Sequence, residues 1–482
     1  MSQVLKAIAR HAAVDPGKRA LIGAETSVSY AELTQLVADA ALQLERILPG
    51  SGPIAIRIEN DPTWVVLDLA CVLLGRPIIP LPPFFTTDQS VHALRNAGAV
   101  GILEGIAPSG ASCAAITIGN KRLTFRHIPF ESATLPPGTA KITYTSGTTS
   151  DPKGVCLSQA GLEAVASSLV DAIGGAYAET HVSVMPLAVL LENVAGVYAT
   201  LIAGGAIVLL PQSQIGFASA FQPDFKQLIA CLQKSKATSI IVVPELLRGL
   251  MFTLAASGSR LPDMKLVAVG GARLAPSILE GAKSLGLPVH EGYGLSEAAS
   301  VVAFNTPGES RSGTVGKVLP HVDLRVEADG EIIISNPATL GYVGQSRRQG
   351  ELATGDTGGL DADGFLFING RKKNTLITSF GRNVAPEWVE SELLAQPEIR
   401  QALAYGDGDP ALSALIVPSL QGIPNSALAN AVERANQSLP EYARIKNWHA
   451  VAPFSISNKT LTGTGRLRRD VILKEFLKCP TT

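Results

Sequence analysis

Neither a surplus of charge nor a cysteine framework is present in this sequence of 482 residues. Lysine and arginine number 40 and aspartate and glutamate 41, so the formal net charge is only −1. That balance argues against nucleic acid or an anionic membrane surface as a partner. The five cysteines are scattered and form no CxxC pair. We therefore expect neither a disulfide framework nor a zinc site, which favours a cytoplasmic location.

Long apolar runs are missing too. Residues 1–20 contain no uninterrupted apolar stretch of the kind that marks a signal peptide. Residues 194–210 carry no charge, but Gly204 and Gly205 divide them into halves that are each too short to span a bilayer. We expect a buried helix, a turn and a buried strand there, and no integral membrane segment in the chain.

The composition is typical of a large α/β enzyme, with 46% apolar residues, 17% charged residues and 46 glycines. Helical and strand patterns alternate as far as about residue 300. One example is a predicted helix at 64–74 between predicted strands at 53–58 and 77–81. Such alternation indicates parallel sheets covered by helices. Ser29, followed three residues later by Glu32, predicts a capping box at the start of an early helix.

Short strands replace this alternation from about residue 322. Strand patterns at 322–328, 330–335 and 365–370 are separated by Asp-Gly turns, which favours an antiparallel arrangement. A smaller pattern of strands and a helix, the latter at 386–394, follows. We therefore predict a large N-terminal domain of parallel sheets and helices with a small β-rich subdomain, and then a small C-terminal α+β domain. The predicted boundaries are 1–370 and 371–482.

The strongest chemical signal is the segment YTSGTTSDPKGV at 144–155, which follows a strand pattern and precedes a helical one. Small hydroxyl residues and glycine let main-chain N–H groups approach a phosphate chain, and a lysine neutralises its charge. The loop is not a Walker A sequence, because GxxxxGK[ST] is absent. A polar surface loop is the alternative interpretation. The phosphate-binding candidates are Thr145, Ser146, Gly147, Thr148, Thr149 and Lys153.

This segment resembles the phosphate loop of the adenylate-forming superfamily, which includes acyl-CoA synthetases, adenylation domains of peptide synthetases and beetle luciferases. The family's other motifs follow in the family's order, and the resemblance extends over nearly the whole chain. They are GGARL (270–274), YGLSE (293–297), ATGD (353–356), GRKKN (370–374) and GRNVAPEWVE (381–390).

The resemblance implies a nucleotide site and a magnesium site. In the family, the first of these motifs lies against adenine, the tyrosine of the second stacks on it, and an aspartate and an arginine hold the ribose. Glu297 would be the Mg²⁺ ligand, since that ion favours one or two carboxylates together with phosphates, and Ser296 stands beside it. The implied adenosine-binding residues are Gly270, Gly271, Ala272, Tyr293, Asp356 and Arg371.

The C-terminal domain is implied to be a mobile lid. Lys373 stands at the family's hinge position, and Gly381 matches the glycine that lines the path of the coenzyme A thiol arm. In the last motif, long-chain acyl-CoA synthetases have a lysine that contacts the acid during adenylation. An ungapped comparison places Arg466 there, which keeps the charge but replaces an ammonium by a planar fork. A gapped comparison offers Lys459 instead.

The function implied by the resemblance is activation of a carboxylic acid to an acyl-adenylate, with transfer to the thiol of coenzyme A. ATP, Mg²⁺ and coenzyme A are the implied cofactors. Residues 187–198 are apolar apart from Glu192 and Asn193, so we expect a fatty or other apolar-tailed acid rather than an amino acid. The alternatives are a separate acyl carrier protein as acceptor, a luciferase-like oxygenase, and a catalytically impaired nucleotide-binding homologue.

Overall fold

The computed structural model describes residues 2–48, 50–105, 113–128, 130–145, 152–217, 223–462 and 465–477. Within these ranges the chain alternates between helices and strands along most of its length, as its sequence pattern predicts. The α-helices are α1 (Gln3–Val14), α2 (Tyr30–Ile47), α3 (Pro62–Leu74), α4 (Thr87–Asn96), α5 (Gln159–Ile173), α6 (Ala199–Ala203), α7 (Phe225–Lys234), α8 (Pro244–Ser257), α9 (Pro276–Ser284), α10 (Pro386–Leu394), α11 (Asn425–Gln437) and α12 (Arg469–Phe476).

The strands of the two large sheets come from the first two thirds of the chain and from one later segment. They are β1 (Arg19–Ile22), β2 (Ser27–Ser29), β3 (Ile54–Arg57), β4 (Ile78–Pro80), β5 (Gly101–Glu104), β6 (Cys113–Ile118), β7 (Lys121–His127), β8 (Thr139–Thr145), β9 (Lys153–Ser158), β10 (Thr180–Val182), β11 (Ala206–Val208), β12 (Ser239–Val242), β13 (Leu266–Val269), β14 (Val289–Tyr293), β15 (Ala303–Phe304), β16 (Lys317–Val318) and, after two intervening strands, β19 (Thr339–Tyr342).

The remaining strands build the β-rich subdomain and the C-terminal region. They are β17 (Leu324–Val326), β18 (Glu331–Ile334), β20 (Leu352–Leu360), β21 (Leu366–Arg371), β22 (Leu376–Ile377), β23 (Asn383–Val384), β24 (Ile399–Tyr405), β25 (Leu412–Pro418) and β26 (Ile445–Ala450).

Parallel strands form the centre of both large sheets. The nine-stranded sheet has the order β16-β15-β14-β13-β12-β10-β11-β1-β2, in which the six strands from β14 to β1 pair in parallel. The eight-stranded sheet has the order β19-β9-β8-β4-β3-β5-β7-β6, with a parallel centre from β8 to β5. The largest core cluster combines residues of both sheets with helices α2, α3 and α5. The expected parallel sheets are thus present, and antiparallel strands extend them at their edges.

The early helix and the uncharged segment match their predictions closely. At the start of α2, the Ser29 side chain accepts from the Glu32 N–H, and the Glu32 carboxylate accepts from the Ser29 N–H, which confirms the capping box. Residues 192–198 form a π-helical turn that leads into α6, and β11 follows after Gly204 and Gly205. No helix among the described residues is long and apolar enough to cross a membrane.

The β-rich subdomain is antiparallel, as predicted, and carries one strand that the pattern did not predict. Strands β17, β18, β20 and β21 pair antiparallel in that order. The Asp-Gly turns contain Gly330 at φ +83° and Gly364 at φ +81°, a conformation that glycine adopts without strain. The unpredicted strand is β20, whose sequence LATGDTGGL is rich in glycine and so lacks a strand composition.

The C-terminal region has its own core and contacts the larger part of the chain through polar groups. Strands β24, β25 and β26 form a sheet with a core under α10 and α11. Lys372, just after β21, pairs with Asp329 and Glu331, at 2.7 Å in each case. The guanidinium of Arg248 on α8 donates to the carbonyl oxygens of Ile399 and Arg400 at 3.3 Å. Ion pairs, and hydrogen bonds from a side chain to main-chain carbonyl oxygens, therefore contribute to holding the C-terminal region against the rest of the chain.

A buried ion pair joins β8, the strand that leads into the phosphate segment, to helix α3. Lys141 on β8 is 1% exposed, and its Nζ lies 2.9 Å from Oδ1 of Asp68 on α3. The other carboxylate oxygen accepts from Asn193 Nδ2 at 3.0 Å and from the Tyr198 hydroxyl at 2.9 Å. Burial lowers the pKa of Lys141, and the Asp68 carboxylate opposes that effect. The network joins α3, β8 and the π-helical turn.

Replacing Lys141 by methionine should destabilise the fold by about 3–5 kcal/mol, because it leaves the Asp68 carboxylate buried without its cation. The double variant Asp68→Asn/Lys141→Met should recover most of that loss, since the remaining amide is neutral. Urea unfolding of the three proteins measures both effects. A Lys141→Met protein as stable as the wild type would show that the pair does not stabilise the fold.

Candidate functional site

Adjacent strands of the nine-stranded sheet end next to each other and bring two of the predicted segments together. Gly270 and Gly271 follow β13, and Tyr293 ends β14, which pairs in parallel with β13. A Cβ at Gly270 would lie only 3.6 Å from the Gly292 carbonyl oxygen. The predicted adenine segment, including Ala272, therefore lies beside the YGLSE segment at the carboxyl edge of the sheet.

Glu291, which the sequence analysis did not identify as a site residue, holds the adenine segment in place through a hydrogen bond. Its Oε1 accepts from the main-chain N–H of Leu274 at 3.1 Å, and the side chain is 5% exposed. Burial raises the pKa of Glu291 to about 7, against the opposing effects of that hydrogen bond and of Arg273. Glu291 is thus a positioning residue for the loop that follows β13.

Tyr293, Asp356 and Arg371 form a direct hydrogen-bonded group. The Tyr293 hydroxyl donates to Oδ2 of Asp356 at 2.7 Å, and Arg371 Nε lies 2.7 Å from Oδ1. Asp356 and Arg371 are paired directly across β20 and β21. The sequence places these three residues in separate motifs, and the structure brings them into contact.

Arg466 of the C-terminal region faces the same group. Its side chain is exposed, but nearby protein groups reduce its hydration and so lower its pKa, and the Arg371 cation lowers it further. The carboxylates of Asp356 and Glu297 oppose both effects. Burial raises the pKa of Asp356, whereas Arg371, Tyr293 and Arg466 counteract this rise.

Lys459, the other candidate for the lysine position, shows no contact with this group. It is exposed at φ +61°, and its carbonyl oxygen accepts from Arg468 Nη1 at 3.3 Å. Gly381 is also apart from the cleft. It occupies the turn between β22 and β23 at φ +71°, where an added Cβ would meet no atom within 4 Å. The structure therefore groups Arg466, and neither Lys459 nor Gly381, with the nucleotide-site candidates.

Glu297 is held by a residue that the motif comparison missed. Ser296, Glu297 and Ala298 form a short 3-10 turn, and the hydroxyl of Tyr342 on β19 donates to Glu297 Oε1 at 2.9 Å. Burial raises the pKa of Tyr342 to about 12, and the Glu297 carboxylate contributes to the rise. The Nζ atom of Lys153 stands 5.9 Å from the centre of the Tyr342 ring.

The donor set around Glu297 suits a magnesium ion shared with phosphates. Among the described residues, no group of three or more His, Cys, Asp or Glu side chains could hold a metal by itself. One carboxylate with a fixed orientation fits Mg²⁺, which takes most of its remaining ligands from phosphates and water. Tyr342 orients that carboxylate through one oxygen.

The phosphate segment connects the end of β8 to the start of β9, and the two strands pair antiparallel. Thr145 pairs with Lys153 at the open end of this hairpin, and four candidates, Ser146, Gly147, Thr148 and Thr149, lie outside the described residues. Helix α4 anchors the base on both sides, since the Tyr144 hydroxyl donates to Asn96 Oδ1 at 2.8 Å and His92 Nε2 lies 3.0 Å from the Pro152 carbonyl oxygen. A side chain at Gly154 would collide with the Tyr144 ring.

The predicted acid segment is apolar on its accessible side, because both of its polar residues are engaged in the interior. Glu192 is fully buried, and its Oε1 lies 2.8 Å from Nε2 of His181. Asn193 belongs to the Lys141 network described above. Leu191 is partly buried beside the adenine segment, with its Cδ2 3.8 Å from the position of a Cβ on Gly270.

Comparison with known proteins gives matches over almost the whole chain. The family model described as "AMP-binding enzyme" matches residues 8–352, and the one described as "AMP-binding enzyme C-terminal domain" matches residues 373–479. A long-chain-fatty-acid–CoA ligase, FadD15 of Mycobacterium bovis, is 27% identical over 95% of this chain and 92% of its own length.

Two solved structures of CoA ligases share the fold. The anthranilate CoA ligase AuaEII, in complex with anthranoyl-AMP, has a TM-score of 0.82 at 17% identity and covers 98% of this chain and 97% of its own. The O-succinylbenzoate coenzyme A synthetase of Bacillus subtilis, in complex with ATP and magnesium ion, has a TM-score of 0.75 at 23% identity and covers 96% and 98%. The predicted fold class is thereby confirmed.

Replacing Glu291 by glutamine should change how stability depends on pH. The raised pKa means that the folded protein holds this proton more tightly than the unfolded chain between pH 4.5 and about 7. The Glu291 contribution is therefore present at low pH and lost as the pH rises through about 7. The stability of Glu291→Gln relative to wild type should increase by about 3 kcal/mol from pH 5 to pH 8.

Urea unfolding at the two pH values measures this change. Glu280→Gln is the matched control, since Glu280 is exposed on α9, and it should show the same difference from wild type at both. A pH-independent difference for Glu291→Gln would contradict the assignment.

Proposed function

The chain belongs to the AMP-binding enzyme family, and we propose that it is an AMP-forming acid–CoA ligase that uses ATP, Mg²⁺ and coenzyme A to activate an apolar-tailed acid. The observation that carries the proposal is the convergence of five motif residues on one cleft. Three belong to the hydrogen-bonded group and two, Glu297 and Arg466, face it. Residues 1–370 would bind the nucleotide and acid, and residues 371–482 would form the lid.

In the first half-reaction, a carboxylate oxygen of the acid attacks the α-phosphorus of ATP and the bond to pyrophosphate breaks. Such a displacement needs positioned groups and neutralised charge more than covalent help from the protein. Asp356 would accept from the ribose hydroxyls, and Arg371 would donate to the same sugar. Arg466 would hold the attacking carboxylate, while Lys153 and the loop before it would bind the phosphates.

Glu297, held by Tyr342, would supply the protein ligand of the magnesium ion. When bound, Mg²⁺ reduces the negative charge of the phosphates that face the attacking carboxylate. Ser296 stands in the same 3-10 turn and keeps the hydroxyl that the family has at this position. These assignments rest on the carboxylate orientation and on the motif match together.

In the second half-reaction, the thiol of coenzyme A attacks the acyl carbonyl carbon and AMP leaves. Gly381 would line the path of the thiol arm, and its separation from the cleft fits a lid in the first of its two poses. Gly381 lies on the exposed turn between β22 and β23, where the side chain of Phe380 is 76% exposed. A separate acyl carrier protein is the alternative acceptor, and dependence of the product on coenzyme A separates the two.

An acid with an apolar tail is supported by the state of the acid segment. An amino acid would need a carboxylate available for its ammonium group. The Glu192 carboxylate is fully buried beside His181, and Asn193 is held by Asp68. The accessible part of the segment consists of apolar side chains such as Leu191, which favour a fatty or aromatic tail.

ATP–pyrophosphate exchange across short, medium, long-chain and aromatic acids tests the proposal. With Mg²⁺ present, we expect exchange with one apolar class and none with amino acids, because the acid segment offers no accessible carboxylate. Preference for amino acids would contradict the substrate class. Absence of exchange with every acid, despite measurable AMP binding, would favour the catalytically impaired homologue.

Replacing Arg466 by alanine should lower ATP–pyrophosphate exchange by about 100-fold or more. The substitution removes the cation that would stabilise the negative charge of the attacking carboxylate and the α-phosphate during adenylation. Thioester formation from a preformed acyl-adenylate should change much less. Lys459→Ala is the matched control and should keep wild-type exchange. The reverse pattern, with Lys459→Ala inactive and Arg466→Ala active, would assign the lysine position to Lys459.

A further inference from the structure

A cavity borders the end of β9 that is farther from the phosphate segment. Its volume is about 450 Å³, and it is bordered by the start of α5, the strand β19 and the loop at 347–350. Ser158, which lines it, ends β9, five residues beyond Lys153. At about 3.3 Å per residue, this side of the cavity lies about 16 Å from Lys153. Another side is lined by Ala298, which follows Glu297, so the cavity adjoins the turn that would carry the magnesium ligand.

The polar lining of this cavity is cationic. Arg347 and Arg348 line it together with His321, and no aspartate or glutamate is among its described lining residues. The carboxylate nearest along the chain, Glu351, is already bonded to Arg325. The cavity therefore faces the solvent with two positive charges and no compensating carboxylate.

The cationic side chains are partly fixed by the protein. Nε of Arg348 is buried without a hydrogen-bond partner, and a main-chain hydrogen bond at Val301 acts on the His321 ring. Burial lowers the pKa of His321, so near neutral pH its ring offers one donor and one acceptor. Arg348 is fixed by its Nη2, which donates to the Glu351 carbonyl oxygen at 2.6 Å.

The remainder of the lining is apolar. Val322, Ile334 and Leu340 contribute aliphatic side chains, and Ala164 contributes a methyl group from α5. A volume of about 450 Å³ exceeds the need of a lone inorganic anion and falls in the range of sites for small organic molecules. The occupant must therefore combine an anionic head with an apolar body.

We propose that this cavity binds a small organic oxyanion, with a phosphate or carboxylate head against Arg347 and Arg348 and an aliphatic body against Ile334 and Leu340. The head group accepts from the guanidinium groups of Arg347 and Arg348. Binding here does not require the ligase chemistry, because neither arginine is among the candidate nucleotide-binding residues.

Calorimetric titration of the full-length protein, saturated with AMP, tests the proposal with octyl phosphate, octanoate and inorganic phosphate as probes. The wild type should bind one of the octyl compounds, and the stronger of the two identifies the head group. Arg347→Gln/Arg348→Gln should weaken that binding by about 10-fold or more, since each charged hydrogen bond contributes to affinity. Arg122→Gln/Arg260→Gln removes the same charge from exposed positions outside the cavity and should leave binding unchanged.

A second variant keeps both arginines and reduces the volume of the cavity. Ala164→Phe fills the cavity from α5 and should abolish binding of the octyl compound without changing the affinity for AMP. Equal binding by wild type, Arg347→Gln/Arg348→Gln and Ala164→Phe would overturn the proposal. Inorganic phosphate binding as tightly as octyl phosphate would also overturn it, because the apolar body would then contribute nothing.

Discussion

Three parts of this chain act on the carboxylate of Asp356. Tyr293 donates to it from the nine-stranded sheet, Arg371 pairs with it across the β-rich subdomain, and Arg466 of the C-terminal region acts on it electrostatically. Because the carboxylate is 5% exposed, leaving it without these partners would cost several kcal/mol. The contact between the nine-stranded sheet and the β-rich subdomain is therefore stabilised by keeping that one group satisfied.

A consequence is that the residues of the cleft are held by groups outside the motifs. Glu291 fixes the loop after β13, Tyr342 orients Glu297, and the Lys141–Asp68 pair joins β8 to the π-helical turn. Each of these contacts links a site-bearing element to a different layer of the fold. Positional accuracy at the cleft thus comes from buried polar contacts, while the apolar clusters provide most of the favourable free energy of folding.

The features that could be predicted from the sequence are those that depend on a local residue pattern or on a contiguous motif. The alternating helices and strands, the capping box at Ser29 and the antiparallel β-rich region all follow from residue periodicity and turn chemistry. Glu291 and Tyr342 could not be found in that way, since their partners lie 17 and 45 residues away along the chain. Strand β20 was missed because its glycines carry no strand signal, and only pairing with β18 and β21 makes it a strand.

The positions of the two arginines in the cleft suggest how the charge of the bound ligands could favour the closed or the open position of the proposed lid. Arg371 and Arg466 both act on the Asp356 carboxylate, and the Arg371 cation lowers the pKa of Arg466, so the two cations repel each other although they share an anionic neighbour. ATP and the acid carboxylate supply negative charge and favour closure, because ligands shift a population by binding one state better. In the proposed first half-reaction, the acid carboxylate loses its charge on becoming an acyl group, the adenylate phosphate keeps one negative charge, and pyrophosphate is released. The attraction that holds Arg466 would therefore weaken when this step is complete, and the proposed lid would then leave to admit the thiol.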